Sequence, residues 1–214
     1  MMWVVKIGGS LLGSPELPYW LDTLVKISDG KVLIVPGGGV FADAVREAQA
    51  ISKVDDAVAH HLALLAMDQF GLLLAGMSPG LVTASSELEI AERGWQHRGI
   101  VWLPSHMVMA DETIPKNWQV TSDSLSAWIA SKIGSEHLVL VKSKALNAYT
   151  SPVATQTLIA DGLIDGAFAD FNIQADFQTW VLNKADFGVF AHGLDTAKTK
   201  LLQSGLAISL AEAE

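Results

Sequence analysis

The sequence of 214 residues contains no cysteine. The protein therefore forms no disulfide bond and offers no thiolate ligand to a metal ion, which is consistent with a reducing compartment. Basic residues are also scarce, because 14 Lys and Arg stand against 23 Asp and Glu, for a formal net charge of -9. Since nucleic-acid binding requires a basic surface, this balance argues against a nucleic-acid partner.

The sequence also lacks a hydrophobic run long enough to cross a membrane. Its most apolar stretch, residues 62–77, is interrupted by Asp68 and Gly71, whereas a spanning helix needs about 20 predominantly apolar residues. The first residues do not have the basic segment and cleavage site of a secretory signal. We therefore expect a cytoplasmic protein without a membrane partner. Half of the residues are hydrophobic, which is enough for a large core.

Short apolar runs alternate with segments of helical periodicity along the chain. The strand-like runs are residues 4–7, 31–35, 81–84, 100–103, 137–141, 180–182 and 206–210. This alternation predicts an α/β fold with a parallel sheet that is covered on both faces. The longest helical segment, residues 55–76, carries an apolar face formed by Val58, Leu62, Leu65 and Leu72. That face predicts a largely buried helix, as an inner or interface helix would be.

The first strand carries a lysine, Lys6, and runs directly into Gly8, Gly9 and Ser10. Consecutive glycines allow a sharp turn and expose backbone N–H groups that suit a phosphate. A lysine in a buried strand is costly unless an anion meets it. We predict that this anion is the phosphate chain of a nucleotide. The alternative is an ordinary strand-to-helix turn with Lys6 reaching solvent.

A second glycine turn, Gly37-Gly38-Gly39, follows the second strand. In a parallel sheet both turns lie at the carboxyl ends of strands, and each opens a helix whose N-terminus favours an anion. Residues 37–42 also match the dinucleotide fingerprint, but the acidic pair Asp55-Asp56 falls at the start of a helical segment instead of a strand end. We therefore favour a ligand with several phosphates over a nicotinamide dinucleotide.

Three hydroxyls and one carboxylate, in Thr121-Ser122-Asp123-Ser124, precede another helical segment. A helix N-cap explains one or two of these residues, and four exceed that need. We expect Asp123 to pair with Lys6 while the hydroxyls bind phosphate oxygens. The adjacent His60 and His61 point in different directions on a helix, so that they predict ordinary polar contacts and not a shared metal site.

These three motifs, in this order and spacing, resemble those of the amino acid kinase superfamily, which includes acetylglutamate, uridylate and isopentenyl phosphate kinases. Residues 37–46, 64–69 and 118–130 are most similar to the branch that phosphorylates aminomethylfuran phosphate in methanofuran biosynthesis. The resemblance implies a three-layer αβα sandwich around a mainly parallel sheet of about eight strands. It also implies a single domain over residues 1–214, with an acceptor lobe near 1–134 and a nucleotide lobe near 135–214, and a homodimer or larger homo-oligomer.

The resemblance further implies a kinase that transfers the γ-phosphate of ATP, with Mg2+, to a small phosphate monoester. Lys6, Asp123 and Lys142 would be catalytic, with Asp123 orienting Lys6, and no side chains are expected to form a metal site. The residues expected to bind ATP are Gly8, Gly9, Ser10, Lys142, Ser143 and Lys144. Those expected to bind the acceptor are Gly37, Gly38, Gly39, Asp43, Arg46, Thr121 and Ser122. Within that set, Asp43 would meet a substrate ammonium and Arg46 the acceptor phosphate.

The sequence departs from the family pattern at three places. Acetylglutamate-type members carry a second lysine after an Asp-Gly pair, but the place that follows Asp165-Gly166 holds Asp170, so that Lys142 or Lys144 would have to substitute. An Asp-Gly pair near the nucleotide is replaced by Asn147-Ala148. The arginine of uridylate kinases is missing near Asp43, which argues against UMP. A kinase of a carboxylate, carbamate or other phosphomonoester, and a nucleotide-binding regulator without turnover, stay open as alternatives.

Overall fold

The computed structural model of the protein describes residues 2–173 and 176–209. Within these ranges eight strands form one sheet, in the order β3-β4-β2-β1-β5-β7-β8-β6. The strands are β1 (Trp3–Ile7), β2 (Val32–Pro36), β3 (Leu81–Ala84), β4 (Gly99–Trp102), β5 (His137–Lys142), β6 (Val153–Ala154), β7 (Gln178–Asn183) and β8 (Leu206–Ser209). The helices are α1 (Glu16–Ser28), α2 (Gly39–Ser52), α3 (Asp56–Met77), α4 (Glu87–Trp95), α5 (Ser105–Ala110), α6 (Ser122–Lys132), α7 (Thr155–Ala160), α8 (Phe168–Asn172) and α9 (Leu194–Ser204).

The sheet is parallel at every described pairing except that of β7 with β8, which is antiparallel. Its two faces bury separate cores, and β1 shows how the strand pleat divides them. Trp3, Val5 and Ile7 belong to one core and Val4 to the other. The predicted α/β sandwich with a mainly parallel sheet is therefore confirmed, whereas the predicted division into two lobes stays a prediction.

Three short helical elements were not expected from the sequence. They are α5, α8 and the 3-10 helix Lys184–Phe190. The first two have only 6 and 5 residues, which is too short for an apolar period to stand out. The last strand, expected over residues 206–210, is described as far as Ser209, and Leu210 lies outside the described residues.

The expectation of a largely buried α3 is wrong for the single chain. The four side chains that defined its apolar face are 46, 39, 39 and 55% exposed, in the order Val58, Leu62, Leu65 and Leu72. The opposite face is buried and is also apolar, so that the periodicity could not tell which side packs on the sheet. Contrary to the expectation from the sequence, α3 is long and apolar enough to cross a membrane by length and composition, the one such helix among the described residues, and 44% of its apolar window is buried within the fold.

Candidate active site

Side chains alternate between the two faces of the sheet along β1 and β5, and this alternation brings one lysine of each strand to the same face. Val4 of β1, with Leu138 and Leu140 of β5, contributes to the core that also contains the apolar side chains of α6. Because side chains two residues apart share a face, Lys6 and Lys142 point toward α6 as well. β1 and β5 are paired in parallel with Lys6 opposite Leu140, so that the two lysines are neighbours.

Asp123, in the first turn of α6, forms ion pairs with both lysines. Lys6 Nζ lies 3.1 Å from Asp123 Oδ1, and Lys142 Nζ donates a hydrogen bond of 2.6 Å to Asp123 Oδ2. All three residues are buried, at 7, 5 and 9% exposure for Lys6, Asp123 and Lys142. Two ammonium groups share one carboxylate, so that this trio by itself has one positive charge in excess. The nearby Asp165 offsets part of that charge, and a bound anion would balance it further.

The ionisation of this trio follows from its burial. Burial on its own raises the pKa of Asp123, but the charges of Lys142 and Lys6 outweigh it and lower that pKa to about 2. Burial lowers the pKa of Lys142 to about 8, with Asp123 opposing the shift and Lys6 adding to it. At neutral pH the carboxylate is therefore ionised, and Lys142 is mostly protonated and close to its titration range.

The two glycine turns are in direct contact. The second turn opens α2 as predicted, whereas the first opens only the 3-10 helix Gly9–Leu11, and α1 begins later, at Glu16. A Cβ atom at Gly9 would lie 2.1 Å from the backbone nitrogen of Gly39, and one at Gly37 would lie 2.6 Å from the nitrogen of Gly9. Gly39 itself has a φ of +54°, which favours glycine. The Lys6 ammonium is close to the first turn, since a Cβ at Gly8 would lie 3.6 Å from Nζ.

The N-terminus of α6 is capped by a distant carboxylate, Asp165. Asp165 Oδ2 accepts hydrogen bonds from the backbone N–H groups of Thr121 and Ser124, at 2.9 and 3.0 Å. The hydroxyls of both residues also donate to this carboxylate. Burial raises the pKa of Asp165, the charge of Asp123 adds to the rise, and the hydrogen bonds oppose it. Asp165 thereby fixes the turn that carries Asp123 and engages the Thr121 hydroxyl that the sequence assigned to the acceptor.

A cavity of about 370 Å3 opens beside the glycine turns. Its wall contains Ser10, the three glycines of the second turn, Ser122 and the inner face of α3. Near it, Arg46 Nη1 lies 3.0 Å from Asp43 Oδ1, and the guanidinium stacks 4.4 Å above the centre of the Trp118 ring. Both Asp43 and Arg46 line the cavity, and their assignment to an acceptor site stays a prediction.

The side chains of the residues that follow β5 contact different parts of the molecule. Ser143 Oγ lies 3.1 Å from Ser10 Oγ, so that it joins the first glycine turn. Lys144 instead donates a hydrogen bond of 2.8 Å to the carbonyl oxygen of Asp161, while Asp170 is exposed on α8. Of the two lysines considered as substitutes for the second family lysine, Lys142 is the one that meets Lys6 at Asp123.

The sequence profile of the amino acid kinase family matches residues 1–146, which is more than half of the chain and includes all three motifs. The chain belongs to the amino acid kinase family. It is 31% identical over 141 residues to a (5-(aminomethyl)furan-3-yl)methyl phosphate kinase of Methanocaldococcus jannaschii. That alignment covers 65% of this chain and 64% of the relative, slightly less than two thirds of its length.

Solved structures share the fold of this chain over nearly its whole length. Uridylate kinase from Archaeoglobus fulgidus superposes with a TM-score of 0.68 at 15% identity, over 98% of this chain and 100% of that protein. UMP kinase from Ureaplasma parvum gives a TM-score of 0.67 at 16% identity, over 98 and 99% of the two chains. At such identities the likeness concerns the architecture alone.

Within residues 2–173 and 176–209, no group of three His, Asp or Glu side chains is arranged to hold a metal ion. Sequence reasoning missed two elements of the site. Asp165 was noticed only as part of an Asp-Gly pair, and His60, which was interpreted as an ordinary polar contact, lines the cavity.

Proposed function

We propose that this protein is an ATP-dependent kinase that transfers the γ-phosphate of ATP to a small phosphate monoester and releases ADP and an organic diphosphate. The observation that carries the proposal is the pair of buried lysines on Asp123, next to two abutting glycine turns. A bond forms between an acceptor phosphate oxygen and the γ-phosphorus, and the bond from that phosphorus to the β,γ-bridging oxygen breaks. Such chemistry depends mainly on positioning and electrostatic stabilisation.

The chain supplies both requirements. Lys6 and Lys142 place positive charge where negative charge spreads over the transferred group, while Asp123 holds the two ammonium groups at fixed positions. The backbone N–H groups of Gly8 and Gly9, with the Ser10 hydroxyl, bind the donor phosphates. Mg2+ bound to the nucleotide would neutralise further phosphate charge.

We place the nucleoside of ATP at the other side of this centre. A second cavity of about 240 Å3 lies between the segment after β5 and the end of α9, and Asn147, Val181 and Gly205 line it. Ser143 connects this side to the first glycine turn through Ser10. Lys144 would reach a nucleotide only if it released the Asp161 carbonyl, so that we assign it no catalytic role.

The acceptor that we propose is aminomethylfuran phosphate. Two observations support it: the activity of the relative from Methanocaldococcus jannaschii, and a cavity lined by Arg46, whose guanidinium suits the phosphate of the acceptor. Arg46 would exchange its contact with Asp43 for the acceptor phosphate, which its planar guanidinium can bind through two N–H groups. The cytoplasmic location predicted from composition stays a prediction.

We also propose that the protein is a homodimer in which the outer faces of two α3 helices pack together. Val58, Leu62, Leu65 and Leu72 form an apolar stripe that one chain leaves in contact with water. Asp56 and Asp68 are the acidic residues of this helix, which has no lysine or arginine. An apolar stripe pairs with a copy of itself around a two-fold axis without leaving a buried charge unpaired.

The function is tested by incubating the protein with ATP and Mg2+ and one candidate acceptor at a time. The panel contains aminomethylfuran phosphate, UMP, isopentenyl phosphate and, for the other reaction class, acetylglutamate. We expect ADP to form in proportion to acceptor with the furan compound, and 31P NMR to show the two coupled resonances of a diphosphate. Tight ATP binding without ADP release for any acceptor would instead favour a nucleotide-binding regulator.

A further inference from the structure

His60 is a buried histidine with one ring nitrogen that has no partner. The residue lies on α3 and is 4% exposed. Its Nδ1 is 3.3 Å from the backbone carbonyl oxygen of Asn117. Because a carbonyl oxygen only accepts, Nδ1 carries the hydrogen and Nε2 presents a lone pair. Among the described residues, no hydrogen-bond donor is positioned for that buried Nε2.

An unpaired acceptor at this depth is unusual, because buried polar groups are nearly always satisfied by protein or by water. His60 is also part of the wall of the 370 Å3 cavity. A ligand in that cavity is therefore the candidate partner of Nε2. Burial lowers the pKa of His60, which keeps the imidazole neutral and its lone pair available near neutral pH.

The surroundings of His60 restrict the ligand. The neighbouring wall of the cavity is apolar and is formed by Ala63, Leu64, Met67 and Leu125. The charged pair Asp43–Arg46 is different, because both side chains are more than half exposed and already paired with each other. His60 thus provides a single buried acceptor within an apolar wall, whereas Asp43 is open to water.

We infer that His60 determines acceptor specificity, in that its Nε2 accepts a hydrogen bond from an N–H or O–H group on the organic part of the phosphomonoester. The inference rests on the proposed function and deepens it. It defines the acceptor as a phosphomonoester with a compact, mostly apolar organic part and one donor. It also reassigns the substrate ammonium, which the sequence placed at Asp43, to the buried histidine.

The inference is tested by calorimetric titration with two pairs of phosphomonoesters. One pair is (5-(aminomethyl)furan-3-yl)methyl phosphate and its 5-ethyl analogue, and the other is 3-(hydroxymethyl)benzyl phosphate and 3-ethylbenzyl phosphate. Each pair differs in one donor group at nearly constant shape. We expect the parent protein to bind the donor member of at least one pair about tenfold more tightly, because its loss leaves Nε2 unpaired.

Two substitutions separate a ligand-binding role from a structural one. Asparagine in His60→Asn places an amide near the position of Nδ1, so that the contact with Asn117 is kept and the acceptor is lost. Glutamine in His60→Gln places an amide oxygen near the position of Nε2. We expect discrimination within a pair to fall below about threefold in His60→Asn and to persist in part in His60→Gln. The adjacent His61, which is exposed, gives the matched control His61→Gln, with unchanged discrimination.

Equal affinity of the parent protein for both members of each pair would overturn the inference, as would discrimination that is unchanged in His60→Asn, or binding of neither member. A phosphoryl-transfer assay on the same samples separates this failure from that of the proposed function. If the protein transfers phosphate to a phosphomonoester but binds both members of each pair equally, the proposed kinase activity stands and the role of His60 is wrong. If it distinguishes the members of a pair but transfers phosphate to no acceptor, the role of His60 stands and the proposed kinase activity is wrong.

Discussion

At the scale of single residues, the site depends on one carboxylate that holds two lysines. Asp123 is shared by Lys6 at 3.1 Å and Lys142 at 2.6 Å. A buried ion pair is weak evidence for stability, since desolvation offsets much of the attraction. An arrangement with one positive charge in excess is better explained by the binding of a phosphate anion, so that the trio is a site of function before it is a source of stability.

The depressed pKa of Lys142, about 8, predicts how activity depends on pH. As the pH rises through this value the side chain loses its proton and its positive charge, so that kcat/KM for ATP should decline on the alkaline side. In Lys142→Arg the side chain stays charged, and the alkaline decline should move beyond pH 10. Steady-state rates between pH 6 and 10 measure both profiles.

Lys144→Arg is the matched control for this profile, because Lys144 contacts the Asp161 carbonyl instead of Asp123. Its alkaline decline should coincide with that of the parent protein. An alkaline decline that persists unchanged in Lys142→Arg would show that another group titrates.

At the scale of elements, Asp165 connects the C-terminal half of the chain to the start of α6. It accepts hydrogen bonds from the backbone and hydroxyl groups of Thr121 and Ser124. The helix depends on this distant cap, since its N-cap residue Thr121 makes no capping hydrogen bond of its own. The position of Asp123 therefore depends on a residue about 40 positions further along the chain.

Replacement of Asp165 by alanine should lower the free energy of unfolding by about 1–3 kcal/mol, because two backbone N–H groups lose their partner. It should also reduce kcat, since Asp123 then lies on a loosened turn. Asp165→Asn keeps a carbonyl oxygen as acceptor and should restore much of both. Chemical denaturation and steady-state kinetics measure the two effects.

Asp170→Ala provides the control for Asp165→Ala, because Asp170 is an exposed carboxylate in the same part of the chain. Neither the free energy of unfolding nor the kcat of the Asp170→Ala protein should differ from that of the parent protein. An Asp165→Ala protein with the kcat of the parent would show that α6 does not need this cap to position Asp123.

At the scale of the whole molecule, the exposed apolar stripe on α3 predicts a homodimer. Leu65 is 39% exposed, so that a charge at this position is tolerated by the folded single chain and not by a packed interface. Leu65→Glu should sediment as a monomer with a normal circular dichroism spectrum, while the parent protein sediments as a dimer at micromolar concentration.

Leu202→Glu on α9 is the control for the sedimentation experiment, because Leu202 is 66% exposed and lies outside the stripe. This variant should sediment like the parent protein. A parent protein that is monomeric at micromolar concentration, or a Leu65→Glu protein that stays dimeric, would contradict the proposed interface.

The features that were predicted correctly from the sequence are those that a short stretch of neighbouring residues determines. The run before Lys6 and the glycines after it predicted β1 and its turn, and parallel strands then brought Gly9 against Gly39. The orientation of α3 could not be predicted, because both of its faces are apolar. The roles of Asp165 and His60 depend on contacts over 41 or more positions, which no local pattern encodes.

The measurement that tests the central claim most directly is phosphoryl transfer by Lys6→Met. Methionine keeps the apolar stem and removes the charge, while Lys142 still pairs with Asp123, so that the variant should fold. We predict a decrease in kcat of about 100-fold or more, with Lys26→Met, a change at an exposed position on α1, as active as the parent. A folded Lys6→Met protein that transfers phosphate as fast as the parent would contradict the account.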